Sequence, residues 1–139
     1  MAQLNTYLTF DGNCAEAMRF YERVLGGKIE MMTTIADSPM AAQMPPEVQN
    51  RIMHSTLQLG ERALMASDNL SGQPYKGMHG FTIALSYDTV DEGRKIFDAL
   101  ADGGQVEMPL QKTFWAEGFG MLADRFGTPW MINCGQAPA

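Results

Sequence analysis

A chain of 139 residues, 45% hydrophobic and 19% charged, has the size and apolar content of one compact domain with a continuous core. Its formal net charge of −6 repels polyanions, and no Lys/Arg cluster makes a local exception, which excludes nucleic acid as a partner. No apolar stretch approaches the roughly 20 residues that span a bilayer, and Met1-Ala2-Gln3-Leu4-Asn5 has neither a basic region nor an apolar signal core, so a soluble, cytoplasmic protein without membrane contact is expected.

Residues 3–10 alternate, with Leu4, Leu8 and Phe10 on one face and Asn5, Tyr7 and Thr9 on the other, which predicts a strand. Ala17, Phe20, Tyr21, Val24 and Leu25 then recur at helical spacing over 14–25. Asn13 is placed to cap this helix with Glu16 as capping-box partner, and Gly26-Gly27 stops it. Cys14 falls in the first turn, where the helix dipole lowers a thiol pKa, but no general base is near it in sequence; Cys14 and Cys134 are expected to be free thiols. A strand over 28–36 precedes a loop over 37–51, because Pro39, Pro45 and Pro46 lack the donor that a central strand needs. Segments 52–59 and 62–67 read as strands joined by a Gly60-Glu61 turn, and 68–78, with Gly72, Pro74 and Gly77, reads as a linker.

After the linker the order starts again. Phe81, Ile83, Leu85 and Tyr87 alternate with Thr82, Ala84 and Ser86; Asp88-Thr89 opens a helix over 90–102 with Val90, Ile96, Phe97 and Leu100 inward; Gly103-Gly104 stops it. At a constant offset of 77, Leu8 meets Leu85, Asp11 meets Asp88, Phe20 meets Phe97, Gly26-Gly27 meets Gly103-Gly104 and Glu30-Met31 meets Glu107-Met108. These identities fall at the strand end, helix core, helix stop and next strand, where an element-level repeat must match. Gly60 and Gly127 each precede a strand carrying a methionine, and Pro129 must sit at a strand start or edge. The alternative is two unrelated units with coincident glycines. The repeat predicts an α+β domain of two βαβββ modules, over 1–70 and 77–135, each with one helix covering one sheet face. The free faces of two such curved mixed sheets, set opposite each other, enclose a cleft.

On these residues the chain resembles the vicinal oxygen chelate superfamily, which comprises glyoxalase I, extradiol dioxygenases, and fosfomycin and bleomycin resistance proteins. Residues 7–14 (YLTFDGNC), Ile52-Met53-His54, 64–68 (LMASD), Thr113-Phe114-Trp115 and 124–134 (DRFGTPWMINC) resemble its PhnB-like branch. The resemblance implies the glyoxalase/bleomycin-resistance/dihydroxybiphenyl dioxygenase fold and a homodimer. Proteins of the branch often carry the label 3-demethylubiquinone 3-methyltransferase-like, yet there is no glycine-rich nucleotide loop for a methyl donor here. Metal-dependent members hold His, Glu or Gln on the first and last strand of each module. Matched through the strand and hairpin patterns, those places fall on Asn5, Met65, Thr82 and Met131. Thioethers suit soft Cu(I), whereas Zn, Fe, Mn and Ni want imidazole, carboxylate or thiolate, so no metal and no other cofactor is expected.

Without a Lewis acid, glyoxalase or dioxygenase chemistry has nothing to stabilise an enediolate or activate oxygen. What is left at these positions suits an apolar small molecule oriented by a few polar groups: Asn5, Tyr7, His54, Met65, Ser67, Thr82, Trp115, Met131 and Asn133 are the candidate ligand-binding residues. The same methionines, among 12 in the chain, equally suit a filled interior. His54 is either a hydrogen-bonded strand residue or an acid-base group; His79 reads as exposed, Trp115 as a pocket-mouth or loop-packing side chain, and Glu117 as a solvated charge. Three functions compete: a metal-free small-molecule-binding protein, a glyoxalase-like enzyme acting through His54 or Glu117 on an unidentified substrate, and a structural or regulatory protein whose pocket is closed by methionine side chains.

Overall fold

The computed structural model describes residues 1–136, with only the backbone of Gln136. It divides into two compact units, Met1–Lys76 and Gly77–Ala139. In the first, β1 (Thr6–Phe10), α1 (Cys14–Leu25), β2 (Lys28–Thr34), β3 (Ile52–Leu59) and β4 (Arg62–Asp68) follow in order, with two short 3-10 turns at Ala41–Gln43 and Pro46–Val48. The second runs β5 (Ile83–Tyr87), α2 (Val90–Ala101), β6 (Gln105–Gln111), β7 (Ala116–Ala123) and β8 (Pro129–Gln136). The sheet orders are β1-β4-β3-β2 and β5-β8-β7-β6, the same topology twice. In each the first strand lies parallel to the last and the other neighbours are antiparallel. The architecture is therefore α+β with a βαβββ repeat.

Both helices form over the residues whose apolar spacing predicts them, and each buries one stripe. Phe20, Tyr21, Ala17 and Met18 of α1 meet Leu57, Leu64 and Ala66 of the first sheet's inner face, while Phe97 and Leu100 of α2 belong to a core with Leu122, Trp130 and Ile132. At Gly93 the second helix lies so close to its sheet that an added Cβ would stand 1.9 Å from Cys134 Sγ. Only a residue without a side chain permits that approach.

Several boundaries differ from the sequence-based expectation. The first strand begins at Thr6 rather than residue 3, leaving Leu4 outside the core at 81% exposure. The second ends at Thr34, although Ile35 N–H still donates to Arg51 O and Ala36 N–H to Gln49 O across the following turn. Phe81 and Thr82 precede β5, and α2 ends at Ala101. Pro129 opens β8, the place that a central strand allows a proline.

Asp68, assigned above to the linker, is instead the buried last residue of β4. Its Oδ1 accepts from the N–H of Gly12 (2.8 Å) and Cys14 (3.0 Å), and its Oδ2 from Ile52 N–H (2.8 Å). It takes over the role expected of Asn13, which sits at the N-cap of α1 but makes no side-chain cap bond. A carboxylate beside the first turn satisfies unpaired donors and complements the helix dipole better than a neutral amide. In the second unit the residue in register at that place is Cys134, which cannot do this, and α2 is capped locally: Thr89 Oγ1 accepts from Glu92 N–H at 3.2 Å and donates to Glu92 Oε1 at 2.9 Å.

Candidate functional site

The helix packs on one face of each sheet, and strand alternation sends every second side chain to the other face. In the first unit Leu8 and Phe10 are buried while Tyr7 is 48% exposed. Register then fixes what surrounds Tyr7. It pairs with Met65, Met65 with Thr56, and Thr56 with Met31, so one row across the helix-free face reads Tyr7, Met65, Thr56, Met31. Ser67 pairs with Thr9, and His54 pairs with Thr33 on the β2 side. The Tyr7 hydroxyl lies 3.1 Å from His54 Nδ1, and His54 Nε2 lies 3.0 Å from Thr56 Oγ1. A neutral imidazole donates from one nitrogen and accepts at the other, and two hydroxyls satisfy either tautomer.

The second unit repeats the arrangement with different chemistry. Ala84 pairs with Met131, Met131 with Met121 and Met121 with Met108, so three methionines stand abreast on adjacent strands. In the next row Ser86 pairs with Asn133 and Asn133 with Phe119. Trp115, just before β7, meets Phe119 edge-on at 5.2 Å between centroids, and Phe114 meets Trp115 at 4.7 Å. Asn133 Oδ1 is buried with no hydrogen-bond partner, the one such side-chain atom among the described residues.

Of the candidate ligand-binding residues, Tyr7, His54, Met65 and Ser67 thus share the open face of the first sheet, and Met131 and Asn133 that of the second, with Trp115 reaching it through Phe119. Asn5 and Thr82 fall just outside their strands, and Asn5 Oδ1 accepts from Ala63 N–H at 3.2 Å. On the first strands the residues paired with Met65 and Met131 are Tyr7 and Ala84. His79 is exposed.

A divalent metal of the superfamily kind does not fit this donor set. Asn5 and Met65 in one unit, and Thr82 and Met131 in the other, offer an amide, two thioethers and a hydroxyl; Asn5 Oδ1 already accepts from Ala63 N–H, and both nitrogens of His54 face hydroxyls. Among the described residues no three His, Cys, Asp or Glu side chains form a metal-holding group.

Sequence reasoning missed Ser86, Asp88 and Gly135. With Tyr87 and Asn133 they line a cavity of about 310 Å³ in the second unit. Glu117, on β7, leans over Gly135: its Oε2 is 2.9 Å from where a Cβ on that glycine would stand. The available signal was Ser86, two residues beyond Ala84 on the same strand face.

A second cavity, of about 490 Å³, lies at the loop end of the first unit beside Arg51 and Tyr75. Arg51 is held there by Asp11 at 3.1 Å and donates to Asn69 O at 3.2 Å, and Tyr75 donates to Thr9 O at 2.8 Å, so its polar groups are largely engaged in tying the loops down.

The family profile described as Glyoxalase/Bleomycin resistance protein/Dioxygenase superfamily matches residues 3–132. The chain is 39% identical to Protein YjdN of Escherichia coli (strain K12) over 139 aligned residues, covering 94% of this chain and 93% of that protein. It is 48% identical to protein PA1353 from Pseudomonas aeruginosa, whose crystal structure superposes with a TM-score of 0.91 over 98% of this chain and 99% of that one. The PhnB protein from Bacillus cereus shares the fold at 23% identity, with a TM-score of 0.80 over 96% of this chain and 100% of that one. The twice-repeated βαβββ topology and these similarities agree: the chain belongs to the glyoxalase/bleomycin resistance/dioxygenase superfamily.

Proposed function

We propose that the protein binds a small organic molecule on the helix-free faces of its sheets, and that it does so without the divalent metal of the metal-dependent superfamily members. The observation that carries this reading is the pair of cross-strand rows, Tyr7-Met65-Thr56-Met31 and Ala84-Met131-Met121-Met108. Thioethers flanked by hydroxyls and one imidazole give a deformable apolar surface with a few orienting groups, which is what an organic ligand requires. A second reading, an enzyme with His54 as acid-base group, is favoured by the Tyr7-His54 contact, since an imidazole can donate a proton from one nitrogen and accept one at the other. In that case the ring must release Tyr7 or Thr56 to reach a substrate.

Thermal-shift screening of small organic compounds, with and without EDTA, separates the two readings. A compound at 100 times its Kd adds about 2.7 kcal/mol of stability, a shift of several degrees. The expected outcome is a hit whose shift is unaffected by EDTA and is reduced in Tyr7→Phe and Met65→Leu. A shift abolished by EDTA, or turnover of the hit that disappears in His54→Ala, would move the enzyme reading to first place.

A further inference from the structure

We infer that the second unit holds a binding site for a soft monovalent cation, Cu(I) or its analogue Ag(I), made by the thioethers of Met108, Met121 and Met131; it goes beyond the organic-ligand reading and does not rest on it. Met131 on β8 pairs with Met121 on β7, and Met121 pairs with Met108 on β6, so the three residues form one row across three neighbouring strands. Their chain neighbours Gly120, Leu122, Trp130 and Ile132 are buried on the helix side, which turns Met121 and Met131 to the other face, and pairing with Met121 brings Met108 there too. Leu110, two residues on from Met108, is nonetheless buried beside Gly118 and Gly120; register shifts on both sides of Met108 reconcile the two placements. All three methionines are partly exposed on the helix-free face.

Neighbouring strands lie about 4.8 Å apart, so the row is about 10 Å wide from β6 to β8, and unbranched side chains with three rotatable bonds can lean toward a common point over Met121. Three neutral, polarizable sulfurs suit a soft ion of single charge and not Zn, Mn or Fe, which want imidazole, carboxylate or thiolate. The neighbouring positions favour no harder ion either. Ala84 flanks Met131 on β5 with only a methyl group, the pair Ala123 and Pro129 lies on one side of the row, and the pair Phe119 and Asn133 on the other. Both thiols, which would compete for a soft ion, are fully buried, and the net charge of −6 draws cations to the chain. The repeat provides a comparison within the molecule. The corresponding row of the first unit is Tyr7, Met65, Thr56, Met31, where threonine on the middle strand separates the two methionines. Met121 at the centre is what sets the second unit apart, so one ion per chain is expected.

The test is a titration of the full chain, labelled with ¹³C at its methionine methyl groups, with silver nitrate in chloride-free buffer, together with anaerobic competition for Cu(I) against bicinchoninate. Expected are shifts of the Met108, Met121 and Met131 methyls that reach completion together at one ion per chain, with the Met31 and Met65 methyls unmoved. Met121→Leu nearly conserves side-chain volume and so keeps the fold, which the remaining methyl signals report. It should weaken Cu(I) binding at least about tenfold, a scale that even indirect partners of a metal reach. Silver shifts spread over exposed methionines such as Met31 and Met40, silver taken up by Cys14 or Cys134 in the folded chain, or a Met121→Leu chain that binds Cu(I) as the native one does would each overturn the site. So would shifts of the same three methyls by zinc chloride, since a row of thioethers does not hold a borderline divalent ion. None of these outcomes bears on the organic-ligand reading, which the thermal-shift screen judges separately.

Discussion

Cys14 is fully buried at the start of α1, with its Sγ 3.6 Å from Ser55 Oγ. Burial pushes the thiol up from 9.0 to about 12; the Ser55 hydrogen bond opposes this and the nearby Asp68 carboxylate adds to it. The lowering expected from the helix dipole is therefore overridden, because desolvation penalises the thiolate and the cap of that same helix is an anion. The unfolded chain releases this proton near pH 9 while the folded one holds it, so the thiol's contribution to stability is complete below about pH 9 and is lost as pH rises toward 12. The urea midpoint should fall between pH 8.5 and 10.5 more steeply in the native chain than in Cys14→Ala, and the thiol should resist alkylation at pH 8 until the protein unfolds. Equal slopes in the two chains would refute the shift.

At the scale of the elements, the two units solve one problem by different means. Each helix presents unpaired N–H groups at its start; α1 relies on Asp68 from the far end of β4, whereas α2 relies on Thr89 and Glu92 next to it in the chain. The Asp68 carboxylate accepts from Gly12, Cys14 and Ile52 while 2% exposed, and so ties the β1–α1 turn to the entry of β3. Its replacement by asparagine sets an amide N–H₂ against these donors and should cost about 2–3 kcal/mol, as for a buried charged hydrogen bond. Loss of the local cap in Thr89→Ala should cost about 1 kcal/mol. Urea denaturation of both variants checks the order; a Thr89→Ala cost equal to or above that of Asp68→Asn would show that the long-range cap is not the stronger one.

At the scale of the whole molecule, each four-stranded sheet ends in two edge strands, β1 and β2 in one unit, β5 and β6 in the other. Edge strands expose unpaired backbone groups, and a helix-free face adds half-exposed side chains such as Tyr7 and Met31, at 48% and 50%. A second copy of the chain supplies both strands and sheet faces, and a homodimer is the assembly we expect. Analytical ultracentrifugation at tens of micromolar should give twice the mass of 15.3 kDa. A single species at the monomer mass would count against it. The described helices include none long and apolar enough to cross a membrane.

Local physics was legible in the sequence. Both helices were readable because the 3.6-residue apolar spacing and the glycine stops act within one turn, and the βαβββ repeat because the halves carry the same signals at a constant offset. The side-chain alternation that puts Tyr7 and Met65 on the sheet face away from the helix was also readable, since a strand has period two. Register was not. A slip of two residues keeps every side chain on its face while changing its neighbour, so alternation alone does not say that Met65 stands beside Tyr7 and Met131 beside Ala84. The same non-local pairing brings Ser86 beside Asn133 and Glu117 over Gly135, and draws Asp68 under α1 in place of Asn13. Each of these depends on which chain segments meet across the sheet, and that is settled by packing of the whole unit, whose long-range contacts leave no signature in a window of neighbouring residues.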